Sequence, residues 1–251
     1  MLPELAPEEF SHALDAVAAE VLALLPATDA PIDALELARA LGLAVAWDQR
    51  QPGRGRIARL AGHSRTSAQG SILLRPEPRR ERLQWAIAHE VGELCAYRVF
   101  ERLAVDPREA PAAAREAVAN RLASRLLLPR ELFDRDGRRT GWDLLALKAR
   151  YETASHELIA RRMLDFGPSV IITIFDHGRS TFRRGNLPFR LPPLAELERA
   201  AWRVAHEQSL AVADGDFARR VQAWPVHEPL WKREILRTEW FAGDDADAGN
   251  Y

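Results

Sequence analysis

Leu83–Phe100, LQWAIAHEVGELCAYRVF, is the stretch on which the fold turns. Its apolar content suits a buried helix, yet His89, Glu90 and Glu93 stand in its middle. An unpaired charge is costly to bury, so these groups need partners or a metal. His89 and Glu93 are four residues apart and share one helix face, with Glu90 beside them. The layout is that of the zinc-protease motif H-E-x-x-H, except that the last position holds Glu93. In that motif the two histidines bind zinc and the glutamate serves as general base. Five residues alone leave a second reading open, a buried histidine paired with a carboxylate for structural reasons.

The rest of the composition narrows the classes. The 251 residues are 47% apolar and 28% charged, as in an ordinary globular protein. A formal net charge of -1 gives no global basic field for nucleic acid. Cys95 is the one cysteine, so no disulfide framework forms within the chain, and its place in the central helix predicts a small core residue. The N-terminus lacks a basic stretch followed by an apolar run, and no apolar run approaches the ~20 residues of a membrane span. The expected location is the cytoplasm, with no membrane contact.

Upstream of the central helix, Phe10, Leu14, Val17, Val21 and Leu24 recur at helical spacing over residues 7–25. Asp33 caps a second helix, Ala34–Leu41, which Gly42 ends. Leu43–Trp47, Arg56–Leu60 and Ser71–Leu74 read as strands, the last two separated by the polar loop Gly62–Gly70. A small sheet thus precedes the helix that carries His89. Beyond Asp106-Pro107, a long helix is predicted over Pro111–Leu128, with Glu116 and Asn120 on one face. Glu116 follows His89 by 27 residues, a separation that suits a further ligand on a helix packed alongside. It equally suits a solvated glutamate near a helix start, where the dipole favours it.

These stretches together resemble the ImmA/IrrE metallopeptidases, the IrrE N-terminal-like family. The strand Ser71–Leu74 leads through Arg79-Arg80-Glu81-Arg82 to Ala88-His89-Glu90-Val91-Gly92. The block Glu116-Ala117-Val118-Ala119-Asn120, running through Ala123 to Leu126-Leu127-Leu128-Pro129, is the more specific match. The resemblance covers roughly residues 30–135. It implies that His89 is the first zinc ligand, Glu90 the catalytic general base and Glu116 the third ligand. The departure falls at the second ligand, Glu93. Glutamate oxygen binds zinc at about 2.0–2.2 Å, so a His/Glu/Glu site is feasible. Two carboxylates would cancel the ion's charge and lower its Lewis acidity. The other outcome is a domain that has lost its metal and survives as a scaffold.

Residues 140–166 read as helix, short turn, helix, the shape of a helix-turn-helix. Arg161 and Arg162 could face phosphates, but so small a basic patch favours an ordinary helical hairpin over direct nucleic-acid binding. From Pro168 the pattern changes: Val170–Phe175 is a buried strand, Asp176-His177-Gly178 a hairpin turn and Ser180–Arg184 the returning strand. Leu194–Gln208 is a helix, and Phe217–Trp224 and Lys232–Thr238 read as strands or short helices. Placement and pattern resemble the C-terminal region of longer family members, which is compared to a GAF ligand-sensing fold. His177, His206 and His227 show no ligand spacing and are expected in surface or turn roles.

The expectation is therefore an α+β chain in four parts. Residues 1–135 form a zincin-like domain, 136–167 a helix-turn-helix-like hairpin, 168–243 a small C-terminal α/β domain and 244–251 a disordered tail. The resemblance implies a zinc-dependent endopeptidase with Glu90 as base and His89, Glu93 and Glu116 on the metal. Its substrate would be a helix-turn-helix repressor or antitoxin, whose cleavage switches on a stress or mobile-element operon. The alternative is an inactive zincin-like module that binds such a repressor without cutting it.

Overall fold

A computed structural model of the chain describes residues 6–50, 55–58 and 70–241. The expected ends of the strand at 59–60, the loop 62–69 and the tail 244–251 lie outside the described residues. The fold is α+β, and it divides into two compact units, Met1–Asp136 with Ala149–Ser155, and Gly137–Lys148 with His156–Tyr251.

The first unit opens with α1 (Pro7–Leu22), whose proline sits where a missing N–H costs nothing. Leu14, Val17 and Val21 form its fully buried stripe, each contributing roughly 1.5–3 kcal/mol by leaving water. In α2 (Ala34–Ala40), the Asp33 carboxylate accepts the Leu35 N–H at 2.8 Å, which is the expected cap. Gly42 ends the helix at φ +74, a conformation that disfavours any residue with a Cβ. Strands β1 (Leu43–Trp47), β2 (Gly55–Ala58) and β3 (Gly70–Leu74) form one sheet in the order β1-β3-β2. β1 runs parallel to β3, and β2 antiparallel.

The central helix α3 (Arg80–Arg102) opens in the expected Arg79–Arg82 stretch and runs two residues past Phe100. Glu81 in the first turn and Arg102 in the last complement the helix dipole, so polar turns join it. Gln84 is buried and fastens α3 to the start of α2: its amide oxygen accepts from Ala34 N at 2.6 Å, and its amide nitrogen donates to Asp33 at 2.9 Å. Helix α4 (Ala112–Leu127) packs along α3 and α1. Arg125 on α4 pairs with Asp15 on α1 at 3.0 Å and donates to Ser11 at 3.0 Å. Cys95 is buried as expected, and burial pushes its thiol pKa up, away from reactivity. Helix α5 (Arg130–Thr140) is missing from the sequence expectation. Its polar run shows little apolar stripe, and Pro129 looks like a terminator, but Phe133 N donates to Pro129 O at 2.9 Å and closes the first turn. Helix α6 (Leu144–Arg150) follows, with Asp143 capping it through Ala146 N at 2.8 Å.

The second unit contains α7 (His156–Arg162), β4 (Val170–Asp176), β5 (Arg179–Gly185), α8 (Glu196–Gln208), β6 (Val212–Gly215), β7 (Arg219–Glu228) and β8 (Trp231–Trp240). The strands make one antiparallel sheet in the order β5-β4-β8-β7-β6, so β5 and β6 lie at its edges. The β4–β5 hairpin turns through His177 at φ 50 and Gly178 at φ 77, the two positive angles that match strand twist. Ala201 and Ala205 of α8 pack on Phe175, Val221, Ala223 and Leu236, covering one face. On the other face the Trp224 indole donates to Asp143 at 3.0 Å, and the Arg237 guanidinium lies 5.8 Å from the Trp142 ring. The segments left open between strand and helix are strands β7 and β8. Arg162 is buried, paired with Asp165 and stacked over Phe166 at 5.0 Å, so it does not face phosphates. Arg161 pairs with Glu157 and lies 4.2 Å from the Phe182 ring. No described helix is long and apolar enough to cross a membrane.

Candidate metal centre

The site begins with a glycine. A Cβ on Gly92 would lie 2.6 Å from the backbone oxygen of Ala119, so only a residue without one lets α3 and α4 approach this closely. That approach brings Glu116, in the second turn of α4, across to His89 on α3. His89 Nε2 lies 3.6 Å from Glu93 Oε1 and 3.7 Å from Glu116 Oε1. One ligand atom from each of the three residues lies within 4.8 Å of the others.

Both distances exceed a hydrogen bond, yet they are near the separation of two ligands on one tetrahedral ion. With metal–ligand bonds of about 2.0–2.2 Å, that separation is about 3.4 Å. The donor set is therefore compatible with a divalent cation after movements of a few tenths of an ångström. Asn120 fixes the histidine. His89 Nδ1 lies 3.2 Å from Asn120 Oδ1, an acceptor, so Nδ1 carries the proton and donates. The Nε2 lone pair then faces the two carboxylates. The Asn120 amide in turn donates to Glu116 Oε1 at 2.9 Å, so one side chain orients two members of the cluster. His89 is largely buried, whereas the Glu93 and Glu116 side chains are 48% and 54% exposed.

The structure thus brings together three of the four residues singled out in the sequence. Glu90, next to His89, is buried on α3 and is not among the three convergent donors. In the sequence alone, Asn120 and Gly92 stand out only as parts of a pattern. The Glu116–Asn120 spacing, one helical turn, was the signal that both could address one partner on α3. Asn120→Ala is expected to keep the fold and weaken metal binding about 10- to 100-fold, the usual effect of losing a group that orients a ligand. Calorimetric titration with zinc checks it. An unchanged affinity would mean that packing alone orients His89.

Residues 54–164 match the IrrE N-terminal-like domain, Peptidase_M78. That span holds α3, α4 and all three convergent side chains. No curated protein matches the sequence. Among solved structures, a Mycobacterium tuberculosis transcriptional regulator superposes with a TM-score of 0.61 at 16% identity. The match covers 92% of this chain and 76% of that one, and at such identity it speaks to the fold. Over residues 54–164 the chain is thus similar to the IrrE N-terminal-like domain, a domain of the metallopeptidase type.

Proposed function

We infer that the first unit is a zinc-dependent endopeptidase with a His/Glu/Glu site, acting on a helix-turn-helix repressor or antitoxin in the cytoplasm. The observation that carries this reading is the convergence of His89, Glu93 and Glu116 within 4.8 Å, with the His89 tautomer set by Asn120. Two carboxylates gathered at one imidazole nitrogen repel one another unless a proton or a metal cation lies between them. Imidazole and carboxylate together suit zinc. The ion, when bound, supplies Lewis acidity toward an attacking water and the scissile carbonyl. His89, Glu93 and Glu116 hold it, and Asn120 keeps His89 and Glu116 in place. Glu90 takes the proton from the attacking water and delivers it to the leaving amine nitrogen. The repressor substrate comes from the family resemblance, and the regulator named among the structural neighbours agrees with such a setting.

Glu90→Gln tests the assignment of the base. The amide cannot accept the proton, so cleavage of a repressor encoded beside this gene should fall by about 10²–10⁴-fold while zinc content stays at the wild-type level. Cleavage at the parental rate would remove Glu90 from that role.

A second reading, a repressor-binding module without cleavage, draws on the exposure of Glu93 and Glu116. Carboxylates about half in water are weakly confined, and two of them lower the Lewis acidity of the ion they hold. Zinc analysis of the purified chain separates the two readings. About one equivalent supports the endopeptidase, and a reproducibly metal-free protein supports the module.

A further inference from the structure

Two histidines expected in surface or turn roles meet on one buried carboxylate in the second unit. Glu234, on β8, has a fully buried side chain. Its Oε1 lies 3.0 Å from His206 Nδ1 of α8 and 2.7 Å from His227 Nε2 of β7, and its Oε2 accepts the Trp202 indole N–H at 3.1 Å. A buried carboxylate persists only with such donors around it. An ionised carboxylate only accepts, so both imidazole nitrogens facing it carry protons. His227 is thereby left with its lone pair on Nδ1. That nitrogen lies 3.0 Å from Ser209 Oγ. The direction of each hydrogen bond follows: Ser209 hydroxyl to His227, His227 to Glu234.

Ser209 has a second unusual property. It ends α8 in the left-handed region, φ 56 and ψ 33, where glycine or asparagine is favoured. Strain of this kind in a residue with a Cβ clusters at functional sites. The turn leaves Ser209 exposed while its hydroxyl stays on the imidazole. Lys232 stands opposite His227 in the β-ladder, and its ammonium donates to His206 O at 3.2 Å. It supplies the positive charge at this corner.

We propose that Ser209, His227 and Glu234 form a second hydrolytic site, a serine nucleophile that accepts the acyl group of small carboxylic esters. Nucleophile, base and orienting acid are each within hydrogen-bond reach, which is the signature of an activated nucleophile. Ser209 Oγ bonds to the ester carbonyl carbon as His227 Nδ1 takes the hydroxyl proton. The carbon–oxygen bond to the alcohol breaks, and the alcohol oxygen receives that proton. Water then repeats the sequence: its oxygen bonds to the acyl carbon, its proton passes through Nδ1 to Ser209, and the acid departs. Glu234 stabilises the imidazolium in both halves without being protonated. An open site suits esters of good leaving groups, which need little alignment.

The test uses the full chain with chelator present throughout, which removes any contribution from the first unit's metal. A fluorophosphonate probe should label one residue, Ser209, identified by peptide mass spectrometry. p-Nitrophenyl acetate should give an initial burst of about one equivalent. Ser209→Ala, a change at the surface, should abolish both. His227→Gln should slow labelling by about a hundredfold or more, as expected for loss of a general base. The urea-unfolded wild type serves as the reference for an unactivated serine. Labelling of Ser209 no faster than in that reference, labelling at another residue, or an unchanged rate in a folded His227→Gln variant would each overturn the proposal.

Discussion

Glu93→Ala is expected to lower zinc affinity by at least about a hundredfold, more than the loss of a supporting group costs. Two protein ligands would remain, His89 and Glu116, and a structural or catalytic zinc site rarely holds with fewer than three. Glu93→His is the complementary change. One turn beyond His89, an imidazole reaches the same region, the site's charge rises by one unit, and the ion keeps more Lewis acidity. Zinc affinity should hold or increase, and neutral-pH activity with it. The two variants and the wild type are titrated with zinc at one pH. A wild type that binds no zinc, beside a Glu93→His variant that does, would sink the His/Glu/Glu endopeptidase and leave the binding module.

Gly92→Ala should destabilise the first unit, although replacing a helical glycine with alanine ordinarily stabilises by about 1 kcal/mol. The added methyl would sit 2.6 Å from the Ala119 backbone oxygen. A backbone group cannot swing aside as a side-chain tip can, so α3 and α4 must separate. Overpacking of this kind costs roughly 1–3 kcal/mol. The same separation stretches the 3.7 Å gap between His89 and Glu116, so zinc affinity should drop in parallel. Denaturant unfolding measures the first effect and calorimetry the second. A variant as stable as the parent would show that the helices have slack at this crossing.

The elements were legible where local chemistry fixes them. Asp33 and Gly42 bracket α2 because a carboxylate cap and a left-handed glycine act over one turn. The buried strand β4 and its His177-Gly178 turn follow from apolar content and turn preference. The family match of residues 54–164 is legible as well, from the His89-Glu90 stretch and the Glu116 block. Helix α5 was hidden because its sequence lacks a strong apolar stripe and Pro129 resembles a stop. β7 and β8 are ambiguous in the sequence because charged residues and tryptophans interrupt their apolar runs, and only their pairing makes them strands. The contacts that build sites were the least legible. Gln84 with Asp33, and His206 with Glu234, join residues far apart in sequence, and no local period encodes them.

The two rims of the five-stranded sheet carry a further consequence. An unpaired strand rim exposes a row of backbone donors and acceptors that can recruit another chain. Here one rim, β5, reads RSTFRRG, with Arg179 and Arg184 exposed along it, while Arg183 is paired with Glu198. The other, β6, is only four residues long and contains Asp214 and Gly215. Like charge repels an approaching copy of β5, and a four-residue strand offers too little ladder to hold one. The apolar interior of β4 and β8, with its strand-prone isoleucines, thereby lies between borders of the kind that disfavour edge-to-edge pairing.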